Sequence, residues 1–97
     1  MSELQRLQEW YLDQCDDEWE HAYGIDIKTL DNPGWLVEID LSDTRLKKRS
    51  FKPVFEGDSE HDEDWIHCEV KDARFKGACG ADNLAELLEI FLDWAGY

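Results

Sequence analysis

The sequence predicts an α+β fold: a mainly antiparallel sheet of about four to five strands, with N- and C-terminal helices packed on one face. Three observations predict it. Apolar residues recur at helical spacing near both ends of the 97-residue chain, and at every second position in the interior. The interior runs are joined by turns too short to hold a crossover helix, which favours antiparallel pairing. The length suits one domain, spanning residues 1–97.

The first helix starts at Ser2, whose hydroxyl can accept from free helix amides, with Glu3 and Gln5 behind it. Leu4, Leu7, Tyr11 and Cys15 form its apolar stripe, widened by Trp10, and the helix is expected to end between Asp16 and Trp19. From Ala22 the period becomes two. Tyr23, Ile25 and Ile27 alternate with Gly24, Asp26 and Lys28, the pattern of a half-buried strand. "DNPG", Asp31 to Gly34, is a turn signal in which Pro33 fixes φ and Gly34 accepts a positive one. Trp35, Val37, Ile39 and Leu41 alternate with Leu36, Glu38, Asp40 and Ser42 and complete a hairpin.

The middle, "RLKKRSFKPVFEGDSEHDED", is basic and then acidic. It reads as a short irregular strand anchored by Leu46, Phe51, Val54 and Phe55, followed by an exposed loop from Glu56 to Asp64. In "WIHCEVKDARFKGACG", Ile66, Cys68 and Val70 are expected inward and His67, Glu69 and Lys71 outward. The turn is placed near Lys71 to Ala73, and Phe75, Gly77 and Cys79 continue the next strand. Asp82 or Asn83 can cap a closing helix whose stripe is Leu84, Leu87, Leu88, Phe91 and Trp94.

The net charge is -14, from 24 acids against 10 lysines and arginines. Such a field repels nucleic acid and anionic lipid, and attracts basic proteins. No run is long and apolar enough for a transmembrane helix, and the N-terminus lacks a secretory signal pattern. Cys15, Cys68 and Cys79 are odd in number and form no CxxC pair, which fits reduced thiols in the cytoplasm.

Three searches for chemistry return little. His61 and His67 lie among carboxylates, but the spacing matches neither a calcium loop nor HExxH, and no metal or cofactor is expected. Cys68 follows His67, yet strand neighbours point to opposite faces, so Cys68 reads as a small buried hydrophobe. Asp16, Asp17, Glu18 and Glu20 could hold an acid–base pair, but abundant surface carboxylates make such proximity commonplace. An enzyme is not expected.

The stretch "LQEWYLDQCDDEWEHAYGIDIKTLDNPGWLVEIDL", with "DWIHCEV", "F.GA.G" and "NL.E.L..F..W" after it, resembles the immunity protein 53 family. The likeness covers nearly the whole chain and is poorest from Thr44 to Glu63. It implies an antidote of a bacterial polymorphic-toxin system: a small cytosolic partner that binds a cognate toxin domain and blocks it. It carries no set of toxin-contacting residues.

The residues themselves offer three candidate partner surfaces. One is Trp19 ringed by Asp16, Asp17, Glu18 and Glu20, an aromatic with a charged rim. Its plainer reading is a tryptophan tucked onto the sheet, with acids capping the junction and His21 hydrogen-bonded nearby. The second is the loop with Glu56, Asp58, Glu60, Asp62, Glu63 and Asp64, a phosphate-like array or simply a solvated loop. The third is Trp35, which more often packs across a hairpin. Two other functions compete with the antidote: an acidic adaptor or nucleic-acid mimic acting on a host protein, and a small metal-dependent hydrolase using the His61–His67 region.

Overall fold

A computed structural model describes residues 1–97. The order is α1 (Glu3–Gln14), α2 (Trp19–Ala22), β1 (Ile25–Leu30), β2 (Gly34–Asp40), β3 (Val54–Glu56), β4 (Ile66–Lys71), β5 (Arg74–Gly80) and α3 (Leu84–Ala95). The five strands form one antiparallel sheet in the order β1-β2-β5-β4-β3. The architecture is the expected α+β one, and the short irregular strand is its fifth member.

The register sorts the side chains. Ile39 lies opposite Phe75, Val37 opposite Gly77, and Cys68 and Ile66 opposite Gly77 and Cys79. These residues share one face, and they join Leu7, Trp10, Leu87, Phe91 and Leu92 in a cluster of 16 buried residues. That face is the dry one. The helices lie on it because α3 approaches β5 closely: a Cβ on Gly77 would sit 2.9 Å from Leu87 Cδ1.

Local chemistry sets the ends of the elements. Ser2 and Gln5 form a reciprocal capping box at α1. Gly96 closes α3 with φ 84°. The basic middle segment has a structural use: Arg45 donates to Ala95 O (2.7 Å) and Arg49 to Trp94 O (2.9 Å), capping the negative end of α3. Arg6 of α1 adds a bond to Tyr97 O (2.9 Å) and an ion pair with Asp93 (2.8 Å).

Several expectations need correcting. Leu4 is 61 % exposed, because α1 docks through Leu7 and Trp10 at one side of its stripe. The chain after α1 makes a second short helix from Trp19. Ile27 lies on the helix-side face but on the edge strand, beyond the cover of α3, and is exposed. Gly34 has no positive φ; it is small because Cys79 O would lie 2.4 Å from its Cβ. Asn83 is the N-cap of α3, but its side chain turns away to Asp64 Oδ1 (2.8 Å) and Trp65 O (3.2 Å).

The β4–β5 turn places Asp72 and Ala73 at φ 54° and 58°, where Cβ crowds the backbone. Ala73→Gly is expected to raise stability by about 0.5–1 kcal/mol in urea unfolding. Gly80→Ala is expected to lower it by about 2–3 kcal/mol, since the new Cβ would fall 2.0 Å from the backbone oxygen of Glu63.

Candidate functional site

The α1–β1 junction is built around Trp19, which is 3 % exposed. Its indole donates to Ser42 O (3.0 Å) and meets Trp10 edge to face, ring centres 5.8 Å apart. As folded, it offers a partner almost no ring surface, and the tucked arrangement is the one found. The acids around it are partly committed to the backbone. Asp16 Oδ1 accepts from the amides of Trp19 (2.9 Å) and Glu18 (3.0 Å), which hold its carboxyl below the ordinary range. Glu20 accepts from the amides of Asp16 and Asp17, both at 3.0 Å. It too is held low, by its own amide first. Asp17 at φ 72° and Glu18 point no carboxylate at a partner, and His21 is exposed without a side-chain hydrogen bond.

The loop between β3 and β4 is a folded turn with two kinds of acid. Asp58 accepts from the Glu60 amide (2.8 Å) and pairs with His61 Nδ1 (2.7 Å), and His61 foremost holds it below the ordinary carboxylate range. Asp62 accepts from the Asp58 amide (2.7 Å) and Asp64 from Asn83 (2.8 Å). Glu56, Glu60 and Glu63 make no such bonds and are exposed. The aspartates shape the turn, and the glutamates are its free charge.

Trp35 lies on the helix-side face between Thr29 and Cys79. It is half-buried against the core and donates to Ala81 O (3.0 Å).

The opposite sheet face carries no helix, and register arranges it in transverse rows. Leu36, Ala78, His67 and Phe55 form one row across four strands, ending in Lys28 on β1. Asp26, Glu38, Lys76 and Glu69 form the next. Asp40, Arg74 and Lys71 follow, with Arg74 reaching Asp40 (3.0 Å) and Glu38 (3.4 Å). Toward the other end, Gly34 and Gly80 leave room for the indole of Trp65. Phe55, His67 and Trp65 make an aromatic series with centres 5.4 and 5.2 Å apart, and His67 Nε2 is fixed on Gly57 O at 2.9 Å. Between Leu36 and Phe55 lies an open hollow of about 210 Å³, floored by Gly77 and Ala78.

Phe55 departs from the sequence expectation. Expected with Val54 as an apolar anchor of the short strand, it lies on the opposite face, because adjacent strand residues point to opposite faces, and it is 63 % exposed. Alternation within "PVFE" was the signal that could have found it.

No three His, Cys, Asp or Glu side chains converge as metal ligands do. His61 turns to Asp58, and His67 to Gly57 O. Burial pushes the thiols of Cys68 and Cys79 up to about 12 and about 11, the reverse of an activated nucleophile.

The immunity protein 53 family model matches residues 4–96. The chain belongs to that family. No curated protein and no solved structure matches it. The match takes in Thr44 to Glu63 as well. This member of the family has one dry sheet face, one open face, and an acidic turn at the open face's edge.

Because the folded thiols ionise above their ordinary value of 9.0, the stability they contribute is complete below about pH 9 and is lost as pH rises through about 11 and 12. Iodoacetamide at about pH 8 is expected to label half-buried Cys15 first, and Cys68 and Cys79 only on unfolding, read by mass spectrometry. A Cys68→Ala, Cys79→Ala variant should show a shallower alkaline fall in stability.

Proposed function

We propose that residues 1–97 act as one immunity domain that binds a cognate bacterial toxin domain and blocks it by occupancy. The observation that carries this reading is the family match over residues 4–96. Two features support a basic partner, such as a nuclease. The net charge of -14 attracts a domain shaped to hold phosphates and disfavours nucleic acid or anionic lipid as direct partners. The turn's exposed glutamates place part of that charge where nothing in the fold needs it. Three free cysteines, two of them buried, suit the reducing cytoplasm of the producing cell, where an antidote must act. The activity needs no catalytic group, metal or cofactor.

The test is co-expression. The polypeptide encoded by the adjacent gene is induced with and without this protein, and the complex is recovered through a tag. Rescue of growth with a stable complex is expected; a toxic neighbour with neither rescue nor complex overturns the reading for that pair. Replacing Glu56, Glu60 and Glu63 together by Gln is expected to leave Tm unchanged and slow association on the order of tenfold at low salt, measured by stopped flow. Replacing Asp58 and Asp62 should instead lower stability, because those carboxylates hold the turn.

A further inference from the structure

We infer that the toxin docks on the open sheet face, setting one large apolar side chain into the hollow beside Phe55 while its neighbouring basic residues meet the acidic turn. This rests on the immunity reading above and adds to it the surface and the chemistry of contact.

The hollow of about 210 Å³ exists because Ala78 is small in the row where Leu36 and Phe55 stand on either side. The hollow is open to solvent, and His67, Glu69 and Lys76 line it beside the apolar groups, so it suits a side chain with an apolar body and a polar rim around it. One wall is braced by contacts within the chain. Phe55 leans on His67, His67 on Trp65, and Gly57 O holds the imidazole. Preorganised aromatic surface loses little freedom on binding and is enriched at binding hot spots. Phe55 contributes little to the core at 63 % exposure, so its ring is available.

Charge identifies the occupant. The open face is balanced: Asp26, Glu38, Asp40 and Glu69 stand among Lys28, Lys71, Arg74 and Lys76. The unbalanced acids begin at Glu56, one residue after Phe55, and continue through the turn. A complementary partner presents an apolar knob beside a basic patch. A second copy of this chain would bring a charge of -14 and its own acidic turn, so self-association is disfavoured.

The experiment measures Kd and Tm for the full chain and for Phe55→Ala, Ala78→Leu and Leu12→Ala, against the purified polypeptide encoded by the adjacent gene. Leu12, 66 % exposed on α1, is the control apolar position. The expected result is a Kd raised roughly thirtyfold or more by Phe55→Ala and by Ala78→Leu, with Leu12→Ala within about threefold. Phe55→Ala should keep its Tm, so weak binding there cannot come from unfolding. If the wild type binds and both open-face variants bind within about threefold of it, this surface is wrong and the immunity reading stands. If the wild type does not bind, the immunity reading fails for that pair and this inference falls with it. Sedimentation of the free chain closes the remaining route: a dimer dispersed by Phe55→Ala would assign the face to a second copy and overturn the proposal.

Discussion

The seating of Leu87 against Gly77 is the contact on which the rest of the structure depends. β5 is the central strand, and Gly77 lies midway along it between Phe75 and Cys79. The missing side chain lets α3 come down onto the sheet, and Leu87, fully buried, gains about 2 kcal/mol from leaving water. Once β5 has a dry side, antiparallel register fixes the dry side of every other strand, because a slip by one residue would turn each side chain over. The open face is therefore a consequence of the covered one. Its rows of residues are set by the same pairings that bury Val37, Ile39 and Cys68.

The excess of acid is distributed by a similar division of labour. Aspartates whose short side chains reach the local backbone are used as turn and junction caps: Asp16 before α2, and Asp58 and Asp62 in the turn after β3. Glutamates of the same turn reach past the backbone into solvent. Three arginines are also spent on structure, Arg45 and Arg49 on the end of α3 and Arg74 on Asp40 and Glu38. With these arginines engaged close to the fold and 24 acids against 10 lysines and arginines, the free glutamates add to a surface that is negative to an approaching protein.

The α+β class, both hairpins and both long helices are legible in the sequence because each rests on a local period and a turn signal. The helix at Trp19 is not, since its four residues show no period and its start depends on Asp16 folding back. The exposure of Leu4 and Ile27 is illegible for a related reason. Periodicity identifies an apolar side, but how far a neighbour's cover extends is a tertiary fact: α3 stops short of β1, and α1 leans on one edge of its stripe. The candidate surface was legible only in part. The acidic turn shows itself as a charge run, whereas the row Leu36–Ala78–His67–Phe55 joins four strands whose order, with β5 between β2 and β4, no single segment encodes.

That order also bears on how an occupancy inhibitor of this kind would work. Long-range attraction raises the rate of encounter but is screened by salt and adds little once partners touch. A dry aromatic contact does the reverse: it has no reach, yet it slows departure. In this fold the two lie side by side, because Glu56 follows Phe55 on the edge strand and Gly57 binds His67. A basic domain drawn to the turn would arrive with its surface already over the hollow. The turn's free glutamates hold no structural bond, so partner choice could drift there without disturbing the aromatic wall or the Leu87–Gly77 seat beneath the sheet.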